Sequence, residues 1–417
     1  MPGPCPGCGA PGMGAPFFAV DRVPTNSVRL HADPAQALAV PRGDIRLAQC
    51  PACGLVVNAA FDPARVDYSP GYESTQSHSP TFDAFHRALA KELAGRIPLA
   101  GRRVLEIGCG QGEFLSLLCG EAGCEGIGCD PAWAATGAAA GPTRIVPMLY
   151  EDMPRAPADL VVCKMTLEHV ARPGALLALV AARQGPGTRL FLQVPDARPI
   201  LDRAGFWDVY YEHCNYFDAG ALAGIAAAAG FRVEAVREAY GGQYLTLEAV
   251  AEGRPLRSAP PRHSRPADGF AERAAAAIDA WRRRLAGAGR VALWGGGSKA
   301  VAFLTAVAPV PGVVAVVDIN PRKDGTFLAG TAHPVILPER LPALRPDLVV
   351  AMNPIYAGEI RDRLAALGLA VPIRTVAAEP GPSAGLSAGA VSRAPPGSPG
   401  CSRQRRQPGP PDGPRPP

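Results

Sequence analysis

The sequence has few aromatic residues, few charges and no long apolar run, and each shortage excludes a class of protein. Aromatic residues make up 6% of the 417 positions, and charged residues make up 19%. No apolar stretch reaches the roughly 18 residues that a membrane-spanning helix needs, so we expect no membrane partner. The start, MPGPCPGC, lacks the basic and apolar regions of a signal peptide. These features predict a cytoplasmic globular protein of two or three domains.

The formal net charge of +5 comes mainly from the end of the chain. Residues 380–417 contain five arginines and one acid, Asp412. The rest of the chain is therefore nearly neutral, which gives no support to a nucleic-acid-binding face. The same segment contains 11 of the 46 prolines and no periodic apolar pattern. We therefore predict a disordered tail over residues 378–417.

Cysteine occurs 11 times, and four of the cysteines form two C-x-x-C pairs, Cys5 with Cys8 and Cys50 with Cys53. Inside a cell, such spacing is typical of a metal site rather than of disulfides. Two such turns place four thiolates as a tetrahedral structural zinc site requires. The alternative is four unrelated buried cysteines. The pairs predict a zinc-binding module over residues 1–77.

Strands and helices alternate in two separate parts of the chain, which predicts an α/β fold with parallel sheets. The first series follows an amphipathic helix and is closed by a hairpin near residue 250. The second series is smaller and follows a proline-rich stretch and a helix. The predicted organisation is a zinc-binding module (1–77), a Rossmann-like domain (78–253), a linker and helix (254–288), a smaller C-terminal α/β domain (289–377) and the tail (378–417).

A glycine-rich turn follows the first strand of the larger series. Gly108, Gly110 and Gly112 let the backbone approach a ligand closely, and the helix after them offers free N–H groups. Glu106 precedes the glycines, and Asp130 ends the next strand, where an acid can bind both ribose hydroxyls. The glycine spacing is not that of a dinucleotide site. The pattern therefore predicts a nucleoside ligand.

The segment YYEHCNYF, residues 210–217, gathers four aromatic rings around Glu212 and His213. One interpretation is an edge strand that packs its tyrosines on the core. The other is an acid–base site, since a neutral imidazole can accept a proton near neutral pH.

The residues Glu106-x-Gly-x-Gly-x-Gly112 with Asp130 resemble the cofactor-binding motif of class I S-adenosylmethionine (SAM)-dependent methyltransferases. The whole arrangement from residue 5 to about 377 resembles the sugar C-methyltransferases, which act on nucleotide-linked 4-keto deoxysugars. Four further segments carry this resemblance: Tyr72-Glu-Ser-Thr-Gln-Ser, Glu168-His169-Val170, Gly241-Gly-Gln-Tyr244 and Asn353-Pro-Ile-Tyr356.

The resemblance implies C-methylation through an enolate, with SAM as methyl donor and a structural zinc ion. It implies that His213 is the base or relays the proton and that Glu212 orients it. Tyr210, Tyr72 and His169 then surround the keto sugar. It also implies that Glu106, Gly108, Gly110, Gly112 and Asp130 bind SAM, and that Gln243 and Tyr244 contact the substrate.

A second glycine-rich turn, Trp294–Lys299, opens a helix in the C-terminal series, and Asp318 ends the next strand. This pattern favours a site for the diphosphate of the nucleotide sugar at Gly296, Ser298 and Lys299. A structural repeat of the fold is one alternative. A NAD(P)-dependent oxidoreductase acting on a nucleotide sugar is another. For the protein as a whole, a further alternative is a non-catalytic zinc-dependent binding module with a degenerate methyltransferase fold.

Overall fold

The computed structural model describes residues 3–69, 71–133, 142–253 and 267–377. The predicted tail and most of the proline-rich stretch lie outside these residues. The strands are β1 Phe18–Pro24, β2 Arg42–Gln49, β3 Val56–Asn58, β4 Arg103–Ile107, β5 Glu125–Cys129, β6 Thr143–Val146, β7 Leu160–Lys164, β8 Arg189–Pro195, β9 Asn215–Tyr216, β10 Phe231–Ala239, β11 Tyr244–Ala251, β12 Val291–Trp294, β13 Val313–Val317, β14 Val335–Ile336, β15 Leu348–Ala351 and β16 Ile373–Thr375. The α-helices are α1 Pro34–Leu38, α2 Pro80–Arg96, α3 Glu113–Ala122, α4 Pro173–Gln184, α5 Ala197–Asp202, α6 Ala219–Ala228, α7 Phe270–Ala286, α8 Ser298–Val307, α9 Leu341–Leu344 and α10 Ala357–Ala366.

The largest sheet has seven strands in the order β10-β11-β8-β7-β4-β5-β6. The strands β8, β7, β4, β5 and β6 are parallel, and β11 is antiparallel to both of its neighbours. The strand order reverses at β4, because β5 lies on one side of it and β7 on the other. Open α/β sheets bind ligands at such a point, beyond the carboxyl ends of the strands.

Both faces of this sheet are buried, which explains its nearly continuous apolar strands. On one face, α2 and α3 pack on alternate residues of the strands, including Val104, Leu160 and Phe191. On the other face, α4 and α6 pack on the intervening residues, including Leu105 and Val161. This period of two follows from the pleat of the strands.

The N-terminal segment forms a four-stranded antiparallel sheet in the order β1-β2-β3-β9. Its edge strand β9 lies inside the segment 210–217, so the larger domain contributes a strand to this sheet. Tyr211 is fully buried, and its hydroxyl accepts a hydrogen bond from the Asp62 backbone N–H at 2.9 Å. The aromatic residues of the segment therefore include core residues as well as site residues.

The C-terminal part is a five-stranded parallel sheet in the order β14-β13-β12-β15-β16. Its strand order reverses between β12 and β15, which places the second glycine-rich turn at this reversal. Its helices α7 and α8 share one apolar core with β1 and with the segment around Trp207. The described residues up to Ala377 all lie within one compact unit of the chain. No helix among these residues is both long and apolar enough to cross a membrane.

The N-terminal segment contacts the larger domain through backbone at Gly174, near the start of α4. The Gly174 N–H donates to the Pro6 carbonyl at 3.3 Å, and a Cβ at this position would overlap the Gly7 carbonyl oxygen. We expect Gly174→Ala to destabilise the protein by about 1–3 kcal/mol, because backbone must move to accommodate the methyl group. Chemical denaturation would measure the change.

Gly120→Ala is the matched control, since it lies in α3 with no atom within 4 Å of an added Cβ. This control should be neutral or slightly stabilising, because alanine is the better helix former. Equal unfolding midpoints for the two variants would contradict the predicted backbone contact.

Candidate active site

The glycine-rich turn after β4 has the backbone conformation that requires glycine. Gly108, Gly110 and Gly112 have φ values of 67°, 55° and 79°. A Cβ at Gly108 would overlap the hydroxyl of Thr166, which follows β7. Gly112 is the residue before α3, and no side chain caps that helix. The N–H groups of the three glycines bond to Cys129, Asp130 and Cys109, so what the turn offers a ligand at this reversal point is close approach to its backbone and to the start of α3.

Asp130 lies beside this turn, as its position in the sequence predicts. Its Oδ2 accepts from the Gly110 N–H at 2.8 Å, and its Oδ1 accepts from the Ala132 N–H at 2.7 Å. Each carboxylate oxygen can accept a further hydrogen bond, so two ribose hydroxyls can be bound. Burial raises the pKa of Asp130, and the two backbone donors partly oppose this rise.

Glu106 on β4 and Lys164 on β7 are buried ionisable residues on neighbouring strands below the turn. Glu106 is 3% exposed and its Oε2 has no hydrogen-bond partner among the described residues. Burial raises the pKa of Glu106 to about 8, and Lys164 opposes the rise. The Lys164 ammonium donates to Gln193 Oε1 at 3.2 Å and lies 3.3 Å from His86 Nε2. The Leu115 backbone hydrogen-bonds to Glu106 and lowers its pKa, so one carboxylate oxygen is left for a ligand that carries an amine.

Four of the predicted catalytic residues come together beyond the carboxyl ends of β7 and β8. The Tyr210 hydroxyl lies 2.8 Å from His213 Nε2, and the His169 and His213 rings are 4.8 Å apart. His169 Nδ1 lies 3.1 Å from the hydroxyl of Tyr68, whose ring packs on Tyr72 at 5.2 Å. The result is two hydrogen-bonded phenol–imidazole pairs that face each other.

Burial sets the charge state of this cluster. It lowers the pKa of His169 to about 4 and the pKa of His213 well below its usual value, with His169 and Lys299 adding to the latter effect. Burial raises the pKa of Tyr68, Tyr72 and Tyr210 well above the usual value of a phenol. At neutral pH the imidazoles are therefore unprotonated acceptors, and the phenols are neutral donors.

The expected pairing of Glu212 with His213 is not what the structure shows. The Glu212 Oε1 accepts from the Ser27 N–H at 2.5 Å and from the Ser27 hydroxyl at 2.6 Å. His213 makes its hydrogen bond with Tyr210 instead. The two side chains diverge because they are adjacent in a turn that enters β9. Glu212 therefore connects the site to the loop after β1, and burial raises its pKa to about 7.

The second glycine-rich turn repeats the geometry of the first with one difference. Asp318 accepts from the Gly296 N–H at 2.8 Å and from the Asn320 N–H at 2.9 Å, as Asp130 does from its own turn. However, Asp318 Oδ2 also accepts from the ammonium of the buried Lys323 at 3.0 Å. This lysine donates to the Gly296 carbonyl as well. An internal cation thus neutralises the second acid.

The predicted substrate residues of the C-terminal turn lie against the rest of the protein. The Ser27 hydroxyl lies 2.7 Å from the hydroxyl of Ser298, the first residue of α8. The Lys299 ammonium forms an ion pair with Asp208 at 2.7 Å and raises the local positive potential at His213. No side chain caps α8, so its first N–H groups remain available to a ligand.

The hairpin β10–β11 contacts the C-terminal part through the predicted residues Gln243 and Tyr244. The amides of Gln243 and Asn353 form two hydrogen bonds with each other, at 2.9 and 3.0 Å. Tyr244 stacks on Tyr240, whose hydroxyl donates to Tyr356 at 2.9 Å. Asn353 follows β15, so these contacts place the C-terminal part beside the carboxyl ends of the larger sheet.

The four predicted metal ligands form one cluster. Cys5 and Cys53 have sulfurs 3.7 Å apart, and Cys8 and Cys50 have sulfurs 3.8 Å apart. All four sulfurs lie within 4.8 Å of one another. Tetrahedral zinc with Zn–S bonds of about 2.3 Å requires sulfurs about 3.8 Å apart. The donor set and its spacing therefore fit a structural zinc ion.

Several site residues escaped the sequence analysis. Glu168 was seen only as part of a matching segment, yet its carboxylate lies within 4.8 Å of His169 and His213. Ser27 and Tyr68 lie in loop-like sequence with no motif around them. Glu73 follows the predicted Tyr72 and binds Asn320 at 3.1 Å in the C-terminal part. Only Glu73 and Glu168 could have been found from the sequence, since both are charged residues within the segments that carry the family resemblance.

Comparisons with known proteins give matches over two parts of the chain. A methyltransferase domain model matches residues 77–236, and a model described as a C-methyltransferase C-terminal domain matches residues 268–370. No curated protein matches the chain.

Three solved structures of low similarity are described as methyltransferases. Magnesium protoporphyrin IX methyltransferase from Synechocystis, crystallised with S-adenosylhomocysteine (SAH), is 18% identical over 41% of this chain and 84% of its own, with a TM-score of 0.34. A toxoflavin-pathway enzyme, the 1,6-didemethyltoxoflavin N1-methyltransferase from Burkholderia thailandensis, is 18% identical over 42% and 79%, with a TM-score of 0.31. A SAM-dependent methyltransferase from Mesorhizobium loti is 15% identical over 40% and 99%, with a TM-score of 0.33.

The methyltransferase match includes the glycine-rich turn, Asp130 and the segment after β7. The parallel sheet with its glycine-rich turn at the reversal point is the Rossmann-like arrangement that this match implies. Together, the two family matches and this fold support a class I SAM-dependent methyltransferase.

Proposed function

We propose that this protein is a SAM-dependent C-methyltransferase that methylates a carbon next to a ketone in a nucleotide-linked 4-keto sugar. The observation that carries the proposal is the pair of phenol–imidazole hydrogen bonds, Tyr210 with His213 and Tyr68 with His169. Proton abstraction next to a ketone needs a neutral base and donors for the enolate oxygen. The match to a C-methyltransferase C-terminal domain agrees with this chemistry.

The residues that would hold SAM are Glu106, the three glycines of the first turn and Asp130. When bound, SAM supplies an electrophilic methyl group. The Tyr210 hydroxyl is hydrogen-bonded to His213 Nε2. The phenol can therefore take the substrate proton while its own proton passes to the imidazole. Tyr72 lines the same cluster as a donor to the enolate oxygen, and His169 holds the neighbouring Tyr68 hydroxyl.

The nucleotide part of the substrate would lie against the C-terminal turn. The uncapped N–H groups of α8 and the nearby Lys299 suit a diphosphate. Asp318 is neutralised by Lys323, which argues against a NAD(P) site at this turn, because its acid is not free for a ribose. Gln243 and Tyr244 stay predicted contacts at the boundary with this part.

The function predicts that Asp130→Ala weakens SAM and SAH binding by about ten- to a hundredfold, because hydrogen bonds from ribose hydroxyls to a carboxylate are lost. Isothermal titration calorimetry would measure both affinities. Asp152→Ala removes an exposed carboxylate of the same domain and should bind like the wild type. Binding of NADH in place of SAM by the wild type would overturn the methyltransferase proposal.

We also propose that the four-cysteine cluster holds one structural zinc ion per chain. Elemental analysis of protein purified without chelators should find one zinc per chain. Cys53→Ser should lose the metal and unfold more easily, since zinc binding contributes directly to folding. Cys124→Ala changes a buried cysteine outside the cluster and should keep the metal. Full zinc content in Cys53→Ser would refute the assignment.

The base assignment predicts that His213→Ala lowers turnover by about a hundred- to ten-thousandfold, while SAM affinity stays within a few-fold. Glu212→Gln should be milder. The acid limb of the pH profile should lie below pH 6.5, because burial lowers the pKa of His213 and keeps the imidazole unprotonated at neutral pH.

A panel of nucleotide-linked 4-keto sugars supplies the substrates, and product mass and NMR identify the methylated position. His78→Ala is the control, because His78 is exposed. Wild-type turnover in His213→Ala, or no solvent-deuterium exchange at the carbon next to the ketone, would remove His213 from the reaction.

A further inference from the structure

Glu168 is a buried carboxyl group that no other described residue hydrogen-bonds through its side chain or backbone. It lies in the one-turn helix Leu167–His169 after β7 and is 1% exposed. Neither of its carboxylate oxygens has a hydrogen-bond partner within the described residues. Burying an unpaired carboxylate is costly, so such a group is retained where a ligand completes it.

The backbone brings Glu168 to the SAM-binding turn. Met165 has a φ of 50°, a conformation that side chains rarely adopt and that occurs at functional sites. The chain turns sharply there, and the Thr166 hydroxyl then contacts the Gly108 carbonyl at 3.3 Å. Glu168 follows two residues later, between the glycine-rich turn and the catalytic cluster.

Glu168 also lies at the reaction centre of the proposed function. Its carboxylate and the ring nitrogens of His169 and His213 are within 4.8 Å of one another. The carbon that loses its proton through His213 must come within roughly 3–3.5 Å of the methyl group for transfer. Bound SAM would therefore bring the sulfonium that carries its methyl group close to Glu168.

We propose that Glu168 is a catalytic residue whose carboxylate faces the sulfonium of bound SAM and stabilises its positive charge. This inference rests on the proposed function, because it takes SAM as the methyl donor. Neither the sequence patterns nor the family matches assign a catalytic role to Glu168.

The described groups that face Glu168 do not balance its negative charge, so the balancing charge would come from the methyl donor. Lys164 lies near it but directs its ammonium to His86 and Gln193, and burial lowers the pKa of Lys164 to about 8. His169 and His213 are kept unprotonated by burial. The other facing groups are phenols and thiols whose pKa values are raised, so they are neutral: Tyr68, Tyr72, Tyr210, Tyr244, Cys163 and Cys214.

One carboxylate at this position keeps the buried site neutral through the whole reaction. Ionised Glu168 first balances the sulfonium. The substrate proton then passes by way of Tyr210 to His213, and the imidazolium balances the enolate. As the new carbon–carbon bond forms, the S–CH3 electron pair stays on sulfur, and enolate and sulfonium disappear together. Glu168 and the imidazolium remain, and the proton can pass from one to the other to leave both neutral.

Calorimetric titration of SAM and of SAH into the full chain tests the proposal, in two buffers of different ionisation enthalpy. Burial raises the pKa of Glu168 to about 8, so at pH 7 the free protein holds a proton there that SAM should displace. SAH carries a neutral sulfur and should displace less. Glu168→Gln should weaken SAM binding about tenfold or more, leave SAH binding within a few-fold, and abolish the difference in proton release.

Glu168→Asp, which keeps the charge, should retain part of the preference for SAM. Glu121→Gln removes an exposed carboxylate on α3 and should match the wild type. An unchanged ratio of SAM to SAH affinity in Glu168→Gln would overturn the proposal, whether both affinities fall equally or neither changes. Failure of the wild type to bind either compound would instead overturn the proposed function.

Discussion

Desolvation of the ionisable groups beyond β4, β7 and β8 determines what each of them can do. His213 is 6% exposed, Glu168 is 1% exposed and Glu212 is fully buried. In such surroundings the charged form of every group is penalised, so imidazoles lose protons and carboxylates gain them. The same loss of water makes a hydrogen bond or a nearby charge worth more than it is at the surface. A weakly basic but neutral imidazole beside neutral phenols is the consequence.

This dry site exists because three parts of the chain close around it. The loop after β1 supplies Ser27, which binds Glu212 and reaches Ser298 of α8. Glu73 holds Asn320 of the C-terminal part, and Ser79 donates to Glu359 at 2.8 Å. Each contact joins residues more than 180 positions apart in the sequence, so the site depends on the full assembly of the unit.

The cysteine cluster contributes to the same closure from a distance. Cys5, Cys50 and Cys53 belong to the apolar core that α4 and α6 form on the larger sheet. Cys50 and Cys53 lie between β2 and β3, and β3 pairs with β9, which begins two residues after His213. The position of the four-cysteine cluster is therefore coupled through β3 to the segment that contains His213.

The sequence predicted those features that depend on local pattern. The strands of the larger sheet and the strands β12, β13 and β15 were predicted correctly, because apolar runs, glycines and following helices are adjacent in the chain. The short strands β14 and β16 of the C-terminal sheet were missed. The N-terminal sheet was missed, since its strands are short and one partner, β9, comes from residues 215–216. Helix α6 was also missed, because its alanine-rich sequence gives little contrast between faces. The pairing of Glu212 with His213 was wrong, because adjacency in sequence does not imply contact in a turn.

Long-range partners account for what remained hidden in the site. Ser27 and Tyr68 join the cluster only when β1 and the loop before α2 meet the segment after β8. Glu168 was visible as a charged residue in a matching segment, but the lack of a hydrogen-bond partner for its carboxylate among the described residues is a property of the fold. The first glycine-rich turn, by contrast, is built from residues 106–130, where chain distance and spatial distance nearly coincide.

The two glycine-rich turns show how one local design can serve different ligands. In both, the acid at the end of the second strand accepts a glycine N–H and an N–H two residues after itself. At the first turn, Asp130 has no ion pair among the described residues, which leaves lone pairs for other donors. At the second, Lys323 contacts Asp318, and the acid becomes part of the framework. Lys299 beside the start of α8 is likewise paired, with Asp208. The two turns therefore share one backbone design and differ in whether the acid is already balanced by a cation.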